Sequence, residues 1–186
     1  MRSNRQPLRI FLIGFSGSGK STVGPILAKR LKARFIDSDA EIERQTKQTI
    51  ATLFANKGER HFRTLESKLI SKLTKIKEPI VVALGGGAFL NPKNRQKISA
   101  SGRTAFLSCS VTELYRRLKD QSDRPLLGQS RAQKLERIKS LLGRRLRSYQ
   151  LADMTISTTQ RTPNETANWL AKKIREDYAD YQNRSR

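Results

Sequence analysis

The chain has 186 residues, 36% of them hydrophobic, and carries 38 Lys and Arg against 16 Asp and Glu, a net charge of +22. That length fits one compact domain, and no stretch approaches the ~18 apolar residues of a membrane span. The only cysteine, Cys109, excludes an internal disulfide, suits a reducing compartment and reads as a small core residue.

Residues 1–8 read as a basic, disordered lead without the apolar segment of a secretory leader. The run Ile10-Phe11-Leu12-Ile13 reads as a buried strand over 9–13, and 23–32 as a helix. Between them stands Gly14-Phe15-Ser16-Gly17-Ser18-Gly19-Lys20-Ser21-Thr22, which fits Gly-x4-Gly-Lys-Ser/Thr at every fixed position. Bare glycines let backbone N–H groups converge on an anion, and the helix start adds unpaired N–H groups. Lys20 supplies a point charge for the β- and γ-phosphates. Ser21 is placed to ligate Mg²⁺, and Thr22 can add a phosphate hydrogen bond. The motif says nucleoside triphosphate and leaves the acceptor open. Pro25, inside this helix, predicts a local bend.

Arg34-Phe35-Ile36-Asp37 reads as a second strand ending in Asp37-Ser38-Asp39. Strand ends form the ligand crevice of an α/β sheet. The two acids are either exposed loop residues or one group facing Mg²⁺ and one facing an acceptor hydroxyl. Residues 39–58 read as helical pieces ending near Gly58, and 59–73 as a further helix. Arg63 and Glu66 share one face of it, three apart. They form a surface ion pair or an arginine aimed at a substrate carboxylate and held by its glutamate. His61, the sole histidine, reads as exposed or structural. Ile80-Val81-Val82-Ala83-Leu84 is apolar throughout, as a central parallel strand should be. Gly85-Gly86-Gly87 then ends it, as a simple turn or as a close backbone approach to a ligand.

A helix over 91–99, a strand over 104–107 and a helix over 111–118 capped by Ser110 follow. Residues 119–131 are polar and turn-rich and read as a lid, with Arg124 able to reach a γ-phosphate. A basic helix over 132–151, a strand over 154–157 and a closing helix over 163–178 complete the chain, the last burying Trp169, Leu170 and Ile174. Residues 179–186 are a polar tail. Strands and helices alternate throughout, so the class is α/β with a parallel sheet.

The ordered set of residues 14–22, Asp37-Ser38-Asp39, Gly58-Glu59 with Phe62-Arg63 and Glu66, Gly85-Gly86-Gly87, Arg124-Pro125-Leu126-Leu127, and Arg145 four before Tyr149 resembles the shikimate kinase family. The resemblance covers about 9–173. It implies a three-layer P-loop fold with a five-stranded sheet in the order 2-3-1-4-5, a substrate-binding part over about 40–70 and the lid. It also implies phosphoryl transfer from ATP to the 3-hydroxyl of shikimate, with Mg²⁺. Lys20, Asp39 and Arg124 would be catalytic. Asp39, Arg63, Gly86 and Arg145 would bind shikimate. Gly17, Ser18, Gly19, Lys20, Ser21, Thr22, Arg117, Arg124 and Arg161 would bind ATP. Ser21, and Asp37 through water, would serve the metal. A cytoplasmic monomer without membrane or nucleic-acid partners is expected. The rivals are a gluconate-kinase-like enzyme and a catalytically silent relative that binds through its basic surface.

Overall fold

The computed structural model describes residues 7–119 and 130–184, the last six of these by backbone alone. Five parallel strands make one sheet in the order β2-β3-β1-β4-β5, the order that the resemblance implies. They are β1 (Arg9–Ile13), β2 (Arg34–Asp37), β3 (Ile80–Ala83), β4 (Arg103–Ser108) and β5 (Met154–Ser157). The strands β1 and β3 are buried at every position, which is why they read as unbroken apolar runs. At the edge, Met154 and Ile156 of β5 face inward while Thr155 and Ser157 face out. The sheet already takes up the chain at Leu8, whose carbonyl accepts from the Ile80 N–H at 2.9 Å.

Helices cover both faces. Ile10 and Leu12 point to one side, where α1 (Lys20–Leu31) and α7 (Pro163–Arg184) pack. Phe11 and Ile13 point to the other, toward α3 (Ile50–Leu73), α4 (Pro92–Ser101), α5 (Val111–Leu118) and α6 (Arg131–Tyr149). A short 3₁₀ turn, Ala88–Leu90, and α2 (Ser38–Thr46) pack on this second side too. In α3 the backbone breaks at Gly58, where φ is 74° and ψ 169°. That glycine separates the two helical pieces the sequence suggests, because few other residues hold such a conformation. Ser110 caps α5 by accepting from the Glu113 N–H.

Two expectations change. Trp169 is 39% exposed, not buried. The inward stripe of α7 is Ala167, Leu170, Ala171 and Ile174, with helical spacing, and Trp169 falls off that stripe by one position. The helix also continues past 178, to Arg184. At α1, helical structure runs from Lys20 to Leu31 without interruption at Pro25.

Just before Pro25, Gly24 meets the ring of Phe35: a Cβ there would lie 2.1 Å from a ring carbon. Gly24→Ala should therefore lower Tm. The clash costs ~1–3 kcal/mol, more than the roughly 1 kcal/mol that alanine contributes in a helix. A thermal melt checks this; an unchanged or raised Tm would mean that Phe35 swings aside freely.

The register aligns Ile13 with Phe106, Asp37 with Ala83 and Ser108 with Ser157, so the carboxyl ends of all five strands share one edge. The phosphate-loop motif, the two acids and the triple glycine all leave that edge. Among the described residues no helix is long and apolar enough to cross a membrane.

Candidate active site

A cleft of about 870 Å³ opens at this edge. One side is the loop from Gly14 to Gly19, with φ positive at Gly14, Gly17 and Gly19. Lys20 is buried, and its Nζ donates to the carbonyls of Gly14 at 3.0 Å and Phe15 at 2.9 Å. The lysine thus braces its own loop. Arg117 crosses from α5, giving Nη1 to the Gly17 carbonyl at 3.2 Å and Nη2 to the Thr158 carbonyl at 2.9 Å. Its Nε donates to Glu113 at 2.7 Å. Arg117, expected to bind ATP, thus ties the loop to the end of β5. Arg161 and Pro163 line the cleft beside it, as do Ser18, Ser21 and Thr22.

At the mouth, the Ser21 hydroxyl donates to Asp37 Oδ2 at 2.6 Å. Asp37 Oδ1 accepts from the N–H groups of Asp39 and Ala40, capping α2. That cap is why a carboxylate stands at this corner: it satisfies the first turn of the helix and fixes the start of the segment carrying Asp39. A hydroxyl and a carboxylate side by side are hard oxygen donors, which fit Mg²⁺ with its remaining positions filled by water and phosphate.

The other side of the site is built on the triple glycine. A Cβ on Gly85 would lie 2.5 Å from Asp39 Oδ1 and 3.1 Å from Glu66 Oε1. One on Gly86 would lie 3.4 Å from Arg145 Nη1, and one on Gly87 would lie 2.5 Å from both terminal nitrogens of Arg63. Asp39, Arg63 and Arg145, drawn from α2, α3 and α6, are thus brought together around three consecutive residues. The bare backbone is what admits them. A Ser38 hydroxyl accepting from the Gly85 N–H at 2.8 Å anchors the turn.

Electrostatics hold the arginines in place. Arg63 Nη1 donates to both oxygens of Glu66 at 3.0 Å, and Nη2 donates to Glu59 at 3.0 Å. Glu66 is 1% exposed. Burial pushes its carboxyl up to about 7, while Arg63 pulls against that by charge and hydrogen bonds. Burial works against the Arg63 charge, yet Glu66 and Glu59 together raise its pKa. Arg145 lies over the face of Phe15, its central carbon 5.2 Å from the ring centroid.

The sequence left Phe15, Thr158 and Tyr149 without roles. Thr158 is buried, with its hydroxyl 3.1 Å from the Ser18 carbonyl, and its place just past β5 was the only signal. His61 is exposed and Cys109 buried. Arg124 and most of the lid expected at 119–131 lie outside the described residues.

Comparison with known proteins converges on one family. The family model for shikimate kinase matches residues 16–176. The shikimate kinase of Thermobifida fusca is 42% identical over 91% of this chain and 95% of its own length. That of Chlorobium chlorochromatii is 39% identical over 91% and 92%. Among solved structures, shikimate kinase from Acinetobacter baumannii in complex with shikimate superposes with a TM-score of 0.85 at 35% identity, covering 92% of this chain and 94% of that one. A phosphate loop facing the cluster of Asp39, Arg63 and Arg145 across one sheet edge, in a chain this similar to these enzymes along nine-tenths of its length, places the protein in the shikimate kinase family.

Proposed function

We propose that the chain moves the γ-phosphoryl group of ATP to the 3-hydroxyl of shikimate, giving shikimate 3-phosphate and ADP, and that it works as a cytoplasmic monomer. The observation that carries this reading is the meeting of Asp39, Arg63 and Arg145 around Gly85, Gly86 and Gly87, next to the phosphate loop. Shikimate is a carboxylate bearing three hydroxyls. Two guanidinium forks suit its carboxylate, and one carboxylate suits an alcohol. The backbone at Gly86 completes the wall.

The division of labour follows from charge and reach. The N–H groups of Gly17, Ser18 and Gly19 and the start of α1 take the triphosphate, with Lys20 and Thr22. Arg117 and Arg161 flank the nucleoside end. Asp39 orients the attacking hydroxyl and accepts its proton as the new P–O bond forms. The bond to the β-phosphate oxygen breaks, and ADP leaves with that electron pair. Little covalent chemistry falls to the protein: holding donor and acceptor in line and spreading the charge does most of the work. Ser21, with Asp37 behind it, would hold Mg²⁺, which when bound neutralises charge on the phosphates. The assignment of 40–70 as the substrate-binding part fits α2 and α3 carrying Asp39, Arg63 and Glu66.

The test is ADP release measured with shikimate, gluconate and nucleoside monophosphates in parallel. Turnover with shikimate alone is expected. A signal with only one of the other acceptors defeats the reading.

A further inference from the structure

Tyr149 sits one helical turn past Arg145 on α6, so both side chains face the same way. Its ring is 1% exposed and packs 5.1 Å, centroid to centroid, from Phe106 of β4. Its hydroxyl donates to the carbonyl of Gly86. Burial pushes the phenol pKa up, and Arg145 opposes this through charge and a hydrogen bond. The phenol therefore keeps its proton for Gly86, and Arg145 stands against that same residue: a Cβ on Gly86 would lie 3.4 Å from its Nη1. Across a trans peptide the carbonyl of Gly86 and the N–H of Gly87 point in opposite directions, so fixing one fixes the other.

We propose that Tyr149 is a positioning residue for the acid end of the acceptor: a single buried hydroxyl sets both the guanidinium of Arg145 and the Gly86–Gly87 peptide plane. The inference rests on the reading of Arg145 as a carboxylate ligand. Phe106 holds the ring, the ring holds the hydroxyl, and the hydroxyl keeps two pocket groups in register. Without it, Arg145 keeps its charge but loses its heading.

Tyr149→Phe keeps the ring and removes only the hydroxyl. It should raise KM for shikimate about fivefold or more, the scale of one lost hydrogen bond. KM for ATP should stay near wild type, and Tm should fall by no more than about 2–4 °C, the scale of that one hydrogen bond. With the methyl ester of shikimate, which lacks the carboxylate charge, wild type and variant should differ by less than about twofold, because the part of the pocket Tyr149 sets is no longer used in full. An unchanged KM for shikimate overturns the proposal. So does an equal penalty on acid and ester, or a joint loss of ATP affinity and Tm, since each marks a residue that merely supports the fold. Wild-type turnover of shikimate is measured first. Its absence sinks the proposed function, whereas its presence with an indifferent Tyr149→Phe sinks the role of Tyr149 alone.

Discussion

Asp39→Asn is expected to cut kcat with shikimate by about a hundredfold or more, the usual scale for losing a positioned general base. The dissociation constant for ATP should hardly change. The exchange keeps the shape that fits against Gly85, where a Cβ would come within 2.5 Å of Oδ1. It also leaves the Asp39 N–H bonded to Asp37, so α2 keeps its cap. What goes is the charge that turns the hydroxyl and takes its proton. Steady-state kinetics with a separate ATP titration decide the matter. Equal loss of turnover and ATP affinity would mean that Asp39 shapes the fold and does no chemistry.

Arg63→Met should do two kinds of damage. KM for shikimate should rise about a hundredfold, since a carboxylate would lose a charged partner within a partly desolvated pocket. Stability should fall as well, because Glu66 stays buried without its cation. A fully buried broken pair costs ~3–5 kcal/mol. The loss here should be nearer 2 kcal/mol, since the Arg63 side chain is 32% exposed and already shares water's screening. The pH dependence identifies the cause. Glu66 in the folded chain titrates near 7, above the 4.5 of an unperturbed glutamate, so the folded state holds the extra proton between those values. Its contribution is complete below about 4.5 and is lost as pH rises toward 7. Removing Arg63 takes away the group that pulls this pKa down, so the folded pKa climbs further. The gap between wild type and variant should therefore be wider at pH 8 than at pH 6 in urea unfolding. A gap that does not depend on pH would show that Glu66 is not the source of the cost, and an unchanged KM would remove Arg63 from the acceptor pocket.

Much of this was legible in the sequence for identifiable reasons. The phosphate loop is written in consecutive residues, and its meaning depends only on a strand before it and a helix after it. The apolar runs 10–13 and 80–84 mark central strands because burial on both faces erases alternation. The order of the strands came from the resemblance, since apolar patterning says which segments are strands and not which lie side by side. Tertiary roles were the least visible. The Tyr149 hydroxyl meets Gly86 across 63 positions, and Thr158 meets Ser18 across 140. Nothing local marks either pairing. The burial of Glu66 was hidden for a similar reason: a glutamate three residues from an arginine looks the same on a surface and in a core. Trp169 misled in the opposite sense, since its hydrophobicity suggested the core and its phase on α7 took it out.

The three glycines after β3 limit how this pocket can change. A Cβ added at residue 85 would collide with the carboxylate of Asp39, one at residue 87 with the guanidinium of Arg63, and one at residue 86 would come up against Arg145, so any side chain there must displace one of these three groups. A new preference for a smaller, larger or uncharged alcohol cannot be written into that floor. On the proposed reading it would have to come from the surrounding helices, by replacing the residues at 39, 63 or 145, so a lineage or a designer seeking another acceptor is confined to a few walls around a fixed base.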